Sequence, residues 1–190
     1  MKKTKKIITA ITFLAIGFAN ANAQSKQEIQ APKMPVDENT KLITYTGVIE
    51  VTGANKAELF RRGLAWFNAF YKNPTEVIRE KDTVGLKIVG KPRFKILNEA
   101  GPSGVKTDAG LVQYTITLAM KDGKFKYEIT AINWKQQSYF AIEKWVEQKD
   151  KYKANNYYLY QTDSIITQNV IKNLESTMKT APKKIDKDNW

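Results

Sequence analysis

The stretch VQYTITLAMKDGKFKYEITA, Val112 to Ala131, decides the fold. Val112, Tyr114, Ile116, Leu118 and Met120 occupy every second position, with Gln113, Thr115 and Thr117 between them. Strand side chains alternate between two faces, so this run reads as a strand with one apolar and one polar face. Asp122-Gly123 follows, a pair that suits a two-residue hairpin turn because glycine accepts positive φ. The return strand carries Phe125, Tyr127, Ile129 and Ala131 on the inward parity, and Lys126, Glu128 and Thr130 on the outward one. A sheet apolar on one face only must bury that face under another layer.

That layer is legible on either side of the hairpin. Upstream, Asn55 followed by Glu58 is an N-cap with its capping-box partner. A helix is expected from about Lys56 to Lys72. Leu59, Phe60, Gly63, Leu64, Trp66, Phe67, Phe70 and Tyr71 recur at helical spacing, with Glu58, Arg61, Arg62 and Lys72 opposite. Asn73-Pro74 ends it, since the residue before proline avoids the helical basin. Downstream, Ile166, Val170, Leu174 and Met178 lie four apart, with Ile171 beside them, and predict a last helix beginning near Asp163 or Ser164.

Three more segments read as strands. Ile43, Tyr45, Ile49 and Val51 alternate with Thr44, Thr46 and Glu50, and Gly47 marks a bulge or a close backbone approach. Thr75 to Lys81 is short. Leu86 to Leu97 places Leu86, Ile88, Phe94 and Ile96 inward and Lys87, Lys91, Arg93 and Lys95 outward. Pro92 falls on its inward parity and argues for an edge or a bulge there. A loop from Asn98 to Gly110 leads to the hairpin, and residues 135–162 carry many aromatics but no clear period. The expected architecture is α+β: an antiparallel sheet in the order β-α-β-β-β-β-α with both helices packed on one face.

The N-terminus has the three parts of a secretory signal. Lys2, Lys3, Lys5 and Lys6 form the basic end, Ile7 to Phe18 the apolar run, and Ala21-Asn22-Ala23 a small-x-small cleavage site. Twelve residues fall short of the roughly 20 that span a bilayer, so a cleaved signal is expected rather than an anchor. The expected organisation is a signal peptide over 1–23, an extended leader over 24–38 with Pro32 and Pro35, a single α+β domain over 39–180 and a flexible tail over 181–190. Cleavage after Ala23 predicts a periplasmic or secreted protein with no transmembrane span in its mature form. A bacterial lipoprotein needs a cysteine at the cleavage point, and the chain has none, so that anchor is excluded. Disulfides are excluded for the same reason.

The formal charge of +12 falls to +8 once the four lysines of residues 1–23 are removed. Such a charge solubilises, and it also favours acidic partners. For an exported chain those are an envelope protein or an anionic glycan or lipid rather than nucleic acid.

The chain has no histidine and no cysteine, which removes Ser-His-Asp triads, cysteine nucleophiles and His- or Cys-built zinc sites. No phosphate-loop or dinucleotide glycine pattern occurs. Asp82, Asp108 and Asp122 sit singly in predicted turns, where aspartate serves the backbone, so no metal site or cofactor is expected. Carboxylate chemistry is the one catalytic alternative. Glu50 and Glu128 project from the open sheet face, and Glu143 lies beyond them; with suitable spacing such a pair would serve a hydrolase or lyase acting on envelope glycans. For binding, the row Lys87, Lys91, Arg93 and Lys95 is a candidate contact for an anionic partner, or plain protection of a sheet edge. Trp134 and the aromatics from Tyr139 to Tyr160 form a stacking surface for a sugar or peptide, or cover the sheet end under the last helix.

Several of these segments resemble a known family. They are Met34-Pro35-Val36-Asp37; the strand with Tyr45 and Val48 to Val51; the helix Leu59-Phe60-x-x-Gly63-Leu64-Ala65-Trp66-Phe67; Val77-Ile78; Ile88-Val89-Gly90-Lys91; Tyr127-Glu128-Ile129; and Leu174 to Met178. Together they are similar to the exported bacterial family catalogued as domain of unknown function 4468, described as having a TATA-binding-protein-like (TBP-like) fold. The resemblance covers about residues 35 to 180. It implies a fold and carries over no catalytic residue. Reading DNA binding from the fold's name would be analogy at fold level alone.

Overall fold

The Val112–Ala131 hairpin forms the centre of a seven-stranded sheet in which every strand pairing is antiparallel. The computed structural model describes residues 29–147 and 153–180. The predicted signal peptide, the first residues of the leader and the tail lie outside them. Strands β5 (Asp108–Lys121) and β6 (Lys124–Lys135) pair in the expected register: Leu118 faces Tyr127 and Met120 faces Phe125 across the Asp122-Gly123 turn. Gly123 takes φ +74° there. Val112, Tyr114, Ile116, Leu118, Met120, Phe125, Tyr127 and Ile129 are all buried, as the alternation requires.

The alternation breaks at Ala131, which was expected inward. Thr115 faces Thr130 but Gln113 faces Asn133, so two residues of β6 oppose one of β5. Ala131 takes φ +51°, the extra residue of a β-bulge. The parity flips beyond it, Ile132 becomes the core residue, and Trp134 turns to the same side as its partner Val112.

On one side of the hairpin, β1 (Tyr45–Glu50) pairs with β6. Gly47 there answers to a close approach and not a bulge: a Cβ would meet the Tyr127 ring at 2.7 Å. On the other side, the single strand expected over Leu86–Leu97 is two. Strand β3 (Lys87–Gly90) lies along Ile116–Ala119 of β5, and β4 (Arg93–Leu97) lies along the other half of the same strand. The chain jogs between them at Lys91-Pro92, because proline offers no N–H to a ladder. The Lys91 N–H donates to the Val77 carbonyl (2.8 Å), and the Pro92 carbonyl accepts from the Tyr114 N–H (3.1 Å). Strand β2 (Ile78–Asp82) follows a one-turn helix α2 (Pro74–Val77) and pairs with β3. Strand β7 (Tyr139–Ala141) pairs with the end of β6.

Helix α1 (Lys56–Phe70) starts at its expected cap: Asn55 Oδ1 accepts from the Glu58 N–H at 2.8 Å. Leu59, Trp66 and Phe67 enter the core, and the helix lies so close to the sheet that Phe67 touches Gly90. Arg62 departs from the expected polar face. It is buried, pairs with Glu58 and donates to the Met178 carbonyl at 2.7 Å. An arginine can be buried when its fork is matched by acceptors, and here one acceptor is an orphan carbonyl at the end of the last helix.

After a five-residue helix α3 (Glu143–Glu147), the last helix begins ten residues before the expected start. Helix α4 (Lys153–Ser164) continues through a π-helical stretch (Ile165–Ile171) into α5 (Lys172–Lys179). The early part escaped the periodicity because, among its described side chains, only Leu159 and Thr162 are buried. The π stretch explains the strict four-residue stripe. In an ideal α-helix each step of four overshoots one turn by about 40°. A wider turn slows that drift and keeps Ile166, Val170, Leu174 and Met178 facing the sheet, all four buried. The Trp66 indole donates to Asn173 Oδ1 at 2.9 Å, so α1 and α5 share one face of the sheet. Among the described residues, no helix is long and apolar enough to cross a membrane.

Candidate anion-binding pocket

The strand break that divides Leu86–Leu97 also builds a pocket. Tyr71, Lys72 and Asn73 come from the end of α1, Glu76, Val77 and Arg79 from α2 and the start of β2, Lys91, Pro92 and Arg93 from the jog, and Gln113 from β5. Together they line a groove of about 390 Å³. Its frame is held by the backbone. Asn73 O accepts the Glu76 and Val77 N–H groups, Val77 O accepts the Lys91 N–H, and Arg93 sits opposite Gln113 in the ladder. The Tyr71 and Tyr114 hydroxyls bond to each other at 3.0 Å beneath the groove. Burial pushes both hydroxyls well above the usual tyrosine range, so this pair stays protonated.

Four cationic side chains, Lys72, Arg79, Lys91 and Arg93, share this groove with one carboxylate, Glu76. Among the described residues none of the four cations makes an ion pair. The rest of the basic row behaves differently. Lys87 pairs with Glu80 at 2.9 Å and Lys95 with Asp108 at 2.7 Å. The Lys95 ammonium, with help from the Gly110 N–H, holds the Asp108 carboxyl below the usual range. The structure therefore separates the predicted row: its ends are neutralised by neighbours, and its middle, Lys91 and Arg93, joins two cations from elsewhere.

Trp134 lies at the other end of the sheet. Its ring packs with Phe140, Trp145 and Tyr158 at centroid separations of 5.3 to 6.5 Å, and its indole N–H donates to the Ala109 carbonyl at 2.7 Å. This cluster sits between the sheet end and α4. Tyr139 and Tyr160 remain exposed, and Tyr152 lies outside the described residues.

The carboxylates are not brought together. Glu50 pairs with Lys124 and Glu128 with Lys126, both on the open face. Glu128 faces Thr46 in the register, four residues up β1 from Glu50, so the two lie about 13 Å apart along the strands. Paired glycosidase carboxyls stand roughly 5–9.5 Å apart. Glu143 accepts the Ile43 N–H at 2.8 Å and ties α3 to the entrance of β1. The turn aspartates serve the backbone: Asp82 accepts from Val84 and Gly85, Asp108 from Gly110, and Asp122 from Lys56.

Residues 45–135 match the model of a family described as a domain of unknown function (DUF4468) with TBP-like fold. Across that segment the chain resembles the DUF4468 family. Two solved structures have the same fold as this chain. A TBP-like protein from Parabacteroides distasonis is 13% identical with a TM-score of 0.62, covering 78% of this chain and 99% of its own. A DUF4468 family protein from Bacteroides ovatus is 15% identical with a TM-score of 0.59, covering 83% and 96%. No curated protein matches the sequence. Every residue lining the pocket falls within the segment that matches the DUF4468 model. Lys72 and Arg79 escaped the sequence reading because Lys72 looks like the solvent side of α1 and Arg79 sits in a short strand with no alternation.

Proposed function

We propose that this protein is an exported, non-enzymatic binding module of the bacterial envelope that holds an anionic partner in the groove of Lys72, Arg79, Lys91 and Arg93. The observation that carries this reading is the convergence of four cations from three separate segments with only Glu76 among them. Keeping like charges together costs energy, and a bound anion recovers it. The export part rests on the signal-like sequence of residues 1–23. Cell fractionation with N-terminal sequencing tests that part: a mature chain beginning at Gln24 supports it, and a cytoplasmic chain beginning at Met1 refutes it.

Binding is tested by elution from immobilised heparin, a sulfated glycan. The Lys91→Glu/Arg93→Glu variant is compared with Lys121→Glu/Lys172→Glu, which makes the same charge change at exposed sites elsewhere. The pocket variant should elute at much lower salt than this control, since both lose the same non-specific attraction. Equal shifts would mean that heparin reads net charge alone, and the pocket reading would fall.

A further inference from the structure

We infer that the pocket takes a phosphorylated sugar headgroup. This rests on the anion-binding reading above and narrows it. Four cations and one carboxylate leave a local excess of three positive charges. A phosphomonoester carries about −1.5 to −2 near neutral pH and presents three strong acceptor oxygens, whereas a uronate carries a single negative charge. Two of the four cations, Arg79 and Arg93, are arginines, whose planar forks match phosphoryl oxygens two at a time.

The remaining lining speaks against a bare anion or a uniform polyanion. Glu76 accepts hydrogen bonds and repels negative charge, so it suits a ligand that also carries O–H or N–H donors. The Asn73 and Gln113 amides can each donate and accept, as recognition of a sugar hydroxyl requires. The Tyr71 hydroxyl is already occupied by Tyr114, which leaves its ring as an apolar wall. A volume of about 390 Å³ sits at the lower end of the roughly 300–1,000 Å³ of small-molecule sites. It suits one phosphorylated ring better than a polymer.

Calorimetric titration of the purified protein with glucose monophosphate, inorganic phosphate, glucuronate and glucose tests the inference. Glucose monophosphate should bind about tenfold or more tightly than each of the other three, the gain expected from one or two further well-made hydrogen bonds. Lys91→Ala/Arg93→Ala should abolish that binding. Gln113→Ala should weaken glucose monophosphate while leaving inorganic phosphate unchanged, a pattern that misfolding would not produce. Equal affinity for glucose monophosphate and inorganic phosphate would overturn the sugar assignment and leave the anion pocket standing. No binding of any probe, with heparin elution of the Lys91→Ala/Arg93→Ala variant shifted no further than that of Lys121→Ala/Lys172→Ala, would overturn both. Sedimentation with phosphatidylcholine vesicles carrying a phosphorylated glycolipid separates the two sources of this chemistry. Capture that glucose monophosphate competes away supports a lipid-borne headgroup. Binding of the soluble sugar phosphate without capture supports a free one. Equal capture by phosphatidylglycerol vesicles, resistant to glucose monophosphate, would overturn the assignment in favour of a general anionic surface.

Discussion

Gly90→Ala tests the seating of α1 on the sheet. A Cβ at Gly90 would stand 2.5 Å from Phe67 Cε1, 3.1 Å from Phe67 Cζ and 3.3 Å from Ile116 Cγ2. Carbon atoms settle at about 3.5–4.0 Å, so the Phe67 ring would have to retreat by roughly 1 Å. It has no room to do so. Phe67 is fully buried, with the Trp66 ring edge-on at 5.0 Å and Tyr71 at 5.5 Å. Overpacking of this kind costs about 1–3 kcal/mol, and the upper part of that range is expected because the neighbour is a fixed aromatic ring. Urea unfolding should show a lower midpoint at unchanged m-value, and the melting temperature should fall by about 6–12 °C. Phe67→Leu in the Gly90→Ala background should recover about 1 kcal/mol relative to additivity, the coupling expected of side chains in direct contact. A cost below about 0.5 kcal/mol, or strict additivity of the pair, would refute this account of the interface.

Arg62→Leu should destabilise by about 2–4 kcal/mol in urea, since it strips a charged donor from the Met178 carbonyl and leaves Glu58 unpaired; a neutral result would mean that Arg62 is replaceable packing. Asn55→Ala should cost about 1 kcal/mol and Asn55→Gly only a few tenths, because glycine is itself a tolerated cap; equal costs would deny the cap its role. Stability should be level from about pH 6 to about pH 9 and fall above about pH 10. The Tyr71 and Tyr114 hydroxyls keep their protons in the folded state to higher pH than in the unfolded chain, so above the unfolded value the unfolded state binds fewer protons and gains ground. Tyr114→Phe should flatten the alkaline limb of a plot of melting temperature against pH, and an unchanged limb would sink the assignment.

What was legible in the sequence follows the reach of each signal. The hairpin and α1 could be read because their information is local: a period of two around Asp122-Gly123, and a cap followed by a period near four. The TBP-like order of elements follows from these and from the Ile166–Met178 stripe. Local reading lost three features to tertiary ones. The bulge at Ala131 leaves no residue signature, since alanine does not ask for positive φ. Arg62 looks solvent-facing on a helical wheel, and only the arrival of Met178 gives it a buried partner. The polar start of α4 gains its support from Gln161, which exchanges hydrogen bonds with both backbone groups of Leu97.

The pocket shows the same limit in a sharper form. Read along one strand, Lys87, Lys91, Arg93 and Lys95 are four equivalent cations on one parity. Pro92, buried at the jog, ends that equivalence. Before the jog Lys87 lies on β3 and meets Glu80 of β2, and beyond it Lys95 lies on β4 and meets Asp108 of β5. Lys91 and Arg93 stay at the break, where the end of α1 brings Lys72 and the start of β2 brings Arg79. A paired surface lysine contributes little to the field that a distant anion meets, whereas unpaired cations sharing a concave site reinforce one another. The electrostatic distinction within the row therefore comes from strand pairing and not from residue type. It follows that Lys87→Ala and Lys95→Ala should each leave heparin elution close to that of the parent. Lys91→Ala and Arg93→Ala should each lower it, although all four substitutions remove one charge. A common shift for all four would show that the pairing does not separate them.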